Sequence, residues 1–179
     1  MSREFYNNVY YFITVPTAKH FPFFNTAEKK SLILTRLEKS KTLFRLDDFD
    51  YSILSNHYHF VSYFQNGEII PKLLQIINGG SAYELNKIIE NRKPVWGEYH
   101  IYVIDNEMLL AKVRGYVVGN PLKHDEVKTV EKLEGYPFSS FHSLTKRFGK
   151  EQALGWIQSV IVLDDTEFIQ EFYKKTNFR

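Results

Sequence analysis

SNHYHFVSYF, residues 55–64, sets two of the chain's six histidines two positions apart in a run of aromatic and β-branched residues. Such a run predicts a strand. In an extended backbone successive side chains alternate, so His57 and His59 project from one face while Tyr58, Phe60 and the preceding Leu54 point to the other. Two imidazoles on one strand face have the geometry of two ligands to a divalent ion. An exposed or hydrogen-bonded pair is the competing reading, and the spacing alone does not choose between them.

Outward from this segment, the pattern alternates between short β-rich and helical stretches. VYYFITV (9–15) predicts a first strand. Asn25 or Thr26 caps a helix running to about Ser40, with Leu32, Ile33 and Leu37 at helical spacing. LFRL (43–46) and the long run 51–64 predict the next two strands, and QNG (65–67) a turn. Ile69–Ile77 is apolar at helical spacing, Gly79-Gly80 interrupts it, and Ser81 starts a second piece through about Glu90. YHIYVI (99–104) predicts a further strand. Asp105 or Asn106 then caps a helix over 107–119 that turns Leu109, Leu110, Val113 and Val117 inward; Asn120-Pro121 stops it, because a residue before proline is pushed out of the α region. YPFSSFHSL (136–144) is loop-like, and helices follow at about 145–160 and 165–174, with Phe168 and Phe172 spaced to pack against the core. The order β-α-β-β-α-β-α predicts an α+β layered sheet with C-terminal helices. The expected division is a core over 1–144 and a helical extension of the same domain over 145–179.

Composition bounds the chemistry. The 179 residues are 44% hydrophobic and 16% aromatic, enough for a substantial core. There is no cysteine, which excludes disulfides, thiolate metal sites and cysteine nucleophiles. The N-terminus lacks the pattern of a signal peptide and no run reaches the 18 apolar residues of a membrane span, so a cytoplasmic protein is expected. A net charge of +2 is too small for a global field to recruit nucleic acid. Contacts must come from local basic residues; Lys19, Lys41, Arg45 and Arg114 are the candidates.

GYVVGNP (115–121) carries the second chemical feature. On a helix, Tyr116 and Asn120 share a face one turn apart. A tyrosine can act as a covalent nucleophile and an asparagine carbonyl as a hard oxygen ligand. Tyrosine is common here, at twelve copies, and Asn-Pro is ordinary stop chemistry.

Taken in order, NHYHF (56–60), PVW (94–96), YVVGNP (116–121) and YPFSS (136–140) resemble the single-tyrosine transposases of the HUH endonuclease superfamily, and within them the REP-associated tyrosine transposases. That family shows an N-H-x-H strand, a PVW-Q-like turn, a Y-I-x-x-N-P helix and a Y-P-W-S-S segment. The match spans residues 5–144 in consistent order. It departs at Leu54-Ser55, where relatives carry Met-Pro, and at Asn78, where a lysine is frequent.

The resemblance implies a ferredoxin-like (RRM-like) antiparallel sheet with helices on one side. It implies His57 and His59 as ligands of Mg²⁺ or Mn²⁺, Tyr58 packing into the sheet between them, Asn120 as the third ligand, and Tyr116 as nucleophile. It further implies a homodimer that cuts and rejoins single-stranded DNA at a hairpin through a 5′-phosphotyrosine, as in DNA transposition and recombination. A free phenol has a pKa near 10, so about one in a thousand is ionised at pH 7, a deficit of about 4 kcal/mol that a cation beside the phosphate would offset. The alternative is a single-stranded nucleic-acid binding module of the same fold whose chemistry has lapsed; weaker still is a ferredoxin-like domain with a fortuitous histidine pair.

Overall fold

The computed structural model describes residues 4–90 and 93–173. Strand β1 (Val9–Pro16) leads through a short turn into helix α1 (Ala27–Phe44), followed by β2 (Phe49–Ile53) and β3 (His57–Phe64). Helices α2 (Ile70–Leu74) and α3 (Gly80–Ile89) are joined by one π turn, Gln75–Gly79. Then come β4 (His100–Ile104) and α4 (Glu107–Lys123). Four further helices follow: α5 (Val130–Glu134), α6 (Phe141–Phe148), α7 (Lys150–Gln158) and α8 (Asp165–Tyr173). The strands form one antiparallel sheet in the order β2-β3-β1-β4.

Alternation along the strands divides the core in two. Tyr11, Ile13 and Val15 of β1, with Tyr58 and Phe60 of β3, pack under α1, α2 and α3. Phe12 and Val61 face the other way, against Leu109, Val113, Tyr116 and Val117 of α4 and Phe168 of α8. Helices therefore cover both faces, not the one side that the family resemblance implies. Both faces are apolar along β1 and β3, and water on either side would leave large side chains unburied.

Several boundaries differ from the sequence reading. Leu43 and Phe44 belong to α1, whose end is closed at Arg45 in the left-handed conformation (φ 53°). The predicted strand 43–46 is thus a helix terminus. The run 51–64 is two strands separated by a turn in which the Leu54 amide donates to the His57 carbonyl (2.9 Å). Helix α4 continues through Asn120-Pro121 to Lys123. A proline near a helix end forfeits only one hydrogen bond, and this segment is buried, so packing outweighs the loss. Helix α6 crosses the 144/145 boundary drawn from the sequence. Residues 174–179, including the last residue of the predicted helix 165–174, lie outside the described residues.

Gly115 and Gly119 let α7 approach α4. A Cβ on Gly115 would collide with the Trp156 backbone, and one on Gly119 would come within 2.8 Å of the Ile157 side chain. These glycines are the surface on which α4 and α7 meet. Among the described residues no helix is long and apolar enough to cross a membrane.

Candidate active site

β3 presents both histidines as the alternation requires. His57 pairs with Pro16, and His59 lies between Thr14 of β1 and Ser52 of β2. Their rings stand on one face with centroids 4.6 Å apart. Tyr58, fully buried on the opposite face, donates its hydroxyl to Asn78 Oδ1 (2.7 Å). The π turn presents Asn78, whose backbone carbonyl also accepts from Trp96 Nε1 (3.0 Å). The residue between the histidines thereby fixes the strand register; a slip of one position would turn both imidazoles into the core.

Helix α4 supplies the other two groups. Asn106 caps it, accepting from the Leu109 amide (2.9 Å), and the unbroken helical path keeps Tyr116 and Asn120 one turn apart on one face. Asn120 is fully buried, with its Oδ1 2.9 Å from His57 Nε2. The Tyr116 ring meets the His59 ring edge-on at 5.4 Å. His57, His59, Asn120 and Tyr116 therefore converge within a single chain; all but the buried Asn120 line a cleft of about 440 Å³, together with His20, His100, Tyr102, His124 and Asp165.

The polar bookkeeping of this cluster is incomplete. His59 is 5% exposed and neither ring nitrogen has a partner; Asn120 Nδ2 has none either. His57 Nδ1 faces Asn56 Oδ1 (2.7 Å) while Nε2 faces Asn120 Oδ1. Both contacts are to oxygen acceptors. Burial depresses the His57 pKa to about 4, with the Asn120 contact opposing, and burial likewise holds His59 well below its usual range. Both rings are neutral at pH 7, so His57 carries one N–H for two acceptors. Turning the Asn120 amide would cure the mismatch at Nε2; so would a cation shared by Nε2 and Oδ1. Among the described residues no three His, Cys, Asp or Glu side chains form a metal cluster; the polar groups that stand together are two imidazoles and one amide.

Tyr116 is 4% exposed. Its ring lies parallel on Phe168 at 3.8 Å, and its hydroxyl donates to Asp165 Oδ1 (2.8 Å). Lys123 reaches the same carboxylate (2.6 Å) and passes 4.8 Å from the Tyr116 ring centroid. Burial, then the charge and hydrogen bond of Asp165, push the phenol above its ordinary value.

Sequence reasoning named His57, His59, Tyr116 and Asn120, which the fold brings together; it did not name His124, Lys123 and Asp165, which stand beside them. His124 lies four residues beyond Asn120, so helical spacing contained that signal. Asp165 is 49 positions from Tyr116 and carried none. None of the four basic candidates lines the cleft, but Lys19 is next in sequence to His20, which does. Lys41 and Arg45 sit at the end of α1, near the start of β2 and so at the end of the sheet opposite His57. Arg114 is 3% exposed and engaged by Asp48 (2.6 and 2.8 Å) and Asp50. A guanidinium committed to two carboxylates is not available to a phosphate, and Arg114 is corrected to a structural ion pair that ties α4 to β2.

No family model matches the sequence, and no curated protein matches it. Among solved structures, the fold is similar to that of a REP-associated tyrosine transposase bound to a REP hairpin, with a TM-score of 0.64 and 17% identity over 82% of this chain and 85% of that one. A candidate transposase from Deinococcus radiodurans aligns with a TM-score of 0.46 and 15% identity over 65% of this chain and 93% of that one.

Proposed function

We propose that the chain is a metal-dependent enzyme that cleaves and rejoins single-stranded DNA at a hairpin, with Tyr116 as nucleophile. The observation that supports this most directly is the convergence of His57, His59 and Asn120 on one side of the sheet beside Tyr116, with both His59 nitrogens unpartnered. His57, His59 and Asn120 would hold Mg²⁺ or Mn²⁺, and the ion would supply charge withdrawal from the phosphoryl oxygens.

The chain's own groups supply position and exclusion. Tyr58 and Asn78 lock the strand that carries the histidines, and Phe12 packs under the His59 ring at 5.6 Å. Tyr116 Oη forms the bond to phosphorus as the bond from phosphorus to the 3′ oxygen breaks; the phenolic proton is lost and the 3′ oxygen leaves with the electron pair and gains a proton. The resulting 5′-phosphotyrosine conserves the phosphodiester energy for rejoining. Because Phe168 and Asp165 cover the phenol, α8 must shift before a phosphate can reach it. All four groups come from one chain, so the reading needs no second copy, although the family resemblance implies a homodimer that light scattering would detect.

A second reading is a binding module of the same fold whose chemistry has lapsed, and the burial of Tyr116 favours it. Incubation with single-stranded hairpin oligonucleotides and Mn²⁺ separates the two. The enzyme gives a protein–DNA band that survives boiling in detergent, and Tyr116→Phe removes the band while leaving DNA binding within about twofold. Binding with no covalent band from the wild type would leave the second reading standing.

A further inference from the structure

The turn between β1 and α1 holds two consecutive non-glycine residues in the left-handed region, Lys19 (φ 56°) and His20 (φ 54°), the one such adjacent pair among the described residues. Each L-residue there crowds its Cβ against its own backbone, so the conformation persists only if its surroundings over-determine it. They do. Thr17 is 1% exposed, and its hydroxyl lies 2.7 Å from the Phe21 carbonyl and 3.0 Å from that of Asn56. The Thr17 amide donates to Asn56 O (2.8 Å), Ala18 N to Val95 O (2.8 Å) and Phe24 N to Ser55 O (2.9 Å). The turn is thus pinned on both flanks, largely to the two residues that precede His57.

This anchoring displays an apolar ring in water. Phe21 is 58% exposed, with its ring 4.7 Å from that of Phe23. Lys19 and His20 beside it are exposed, and His20 lines the cleft shared with His57. A single exposed phenylalanine is ordinary. One that follows two strained residues, a lysine and a histidine that lines the cleft, combines an aromatic face for a base with a nearby cation for its phosphate. We infer that Phe21 and Lys19 form a stacking platform for single-stranded DNA, seating a base adjacent to the phosphate in the cleft. The inference rests on the proposed DNA-processing function and adds to it the residues that grip the strand outside the reacting centre.

The test is fluorescence anisotropy of a fluorescein-labelled 20-nucleotide dT strand titrated with the full chain in EDTA, where no cleavage competes. Phe21→Ala should weaken binding about tenfold, within the range for loss of one base–aromatic stack. Phe21→Trp should keep wild-type affinity, and its added fluorescence should be quenched by the strand. Lys19→Gln should lower the slope of log affinity against log salt by about 0.7. Phe21 is exposed, so these variants should melt with the wild type, as circular dichroism would verify. Wild-type affinity in Phe21→Ala overturns the inference, as does loss of self-association in that variant with dT binding intact, which would assign the ring to a second copy. If dT binding depends on Phe21 but no covalent band forms with hairpin DNA and Mn²⁺, the enzymatic reading fails and the platform stands. If the band forms and Phe21→Ala binds dT normally, the reverse holds.

Discussion

The Tyr116 hydroxyl donates a 2.8 Å hydrogen bond to Asp165, a residue of a different helix and 49 positions further along the chain. A carboxylate in that place disfavours the phenolate, because ionising the phenol would set two negative charges side by side. Asp165 itself stays ionised: burial works to raise its pKa, but hydrogen bonds from Lys123 and Tyr116 outweigh it and hold the group below the usual carboxylate range. The Tyr116 phenol is therefore held protonated under α8.

Asp165→Asn keeps the shape and removes the charge. The phenol pKa should fall, and each unit gained multiplies the phenolate fraction about tenfold at neutral pH. The rate of covalent band formation with hairpin DNA should rise by several-fold. The Asp165 side of the Lys123–Asp165 pair is exposed, so loss of the pair should cost less than about 1 kcal/mol of stability. A slower rate in Asp165→Asn would instead make Asp165 the proton acceptor of the reaction.

Gly115→Ala distinguishes packing from flexibility in the tyrosine helix. Helix propensity alone would make alanine stabilising by about 1 kcal/mol. The added Cβ meets the Trp156 backbone, however, which cannot rotate away, so a loss of about 1–3 kcal/mol is expected. Gly155→Ala is the control: it is exposed on α7 with nothing within 4 Å of the new Cβ, and should raise the melting temperature. Stabilisation by both substitutions would show that α7 does not depend on the close approach.

What the sequence disclosed and what it hid separate along the range of the forces involved. The His57/His59 face, a cap at Asp105 or Asn106 and the helical relation of Tyr116 to Asn120 depend on local sequence, and each is present, the cap falling on Asn106. The division of 51–64 into two strands was not legible, because the turn at Leu54–Asn56 lacks glycine and proline. It is held from a distance: Glu126, 71 positions away, accepts from the Ser55 amide (2.9 Å) and from its hydroxyl. The same holds for Pro121, which local chemistry marks as a stop and tertiary burial carries through. The cover over Tyr116 was half visible, since Phe168 and Phe172 were spaced to pack inward, but nothing local aimed Asp165 at the phenol.

Glu126 also makes the fold sensitive to acid. Burial pushes its carboxyl upward, but hydrogen bonds from Lys30 and Ser55 outweigh this and set its folded pKa below the ordinary value. A depressed folded pKa contributes stability that is complete above the unfolded value near 4.5 and is lost as pH falls through the folded one. Glu126→Gln lacks the charge-assisted contacts at every pH. It should be less stable than wild type by about 2 kcal/mol at pH 7, and the gap should narrow as pH falls through the folded value. Urea midpoints at pH 7 and pH 3 measure this; a gap that stays constant would remove Glu126 as the titrating group.

His59→Leu tests the proposed ion site without any DNA. In the metal-free protein a buried imidazole with no partner on either nitrogen carries an uncompensated desolvation cost of about 1–3 kcal/mol. Leucine is of similar size, packs against Phe12 and Tyr116, and carries no such groups. The metal-free variant should therefore melt at a higher temperature than metal-free wild type. Adding Mn²⁺ should reverse the order: a ligand that binds only the folded state stabilises by RT ln(1 + [L]/Kd), and only the wild type retains both imidazoles. Wild type should gain about 2.7 kcal/mol at a concentration one hundred times Kd, and His59→Leu should show no shift. If Mn²⁺ raises both melting temperatures equally, the ion binds elsewhere and His59 is a packing residue.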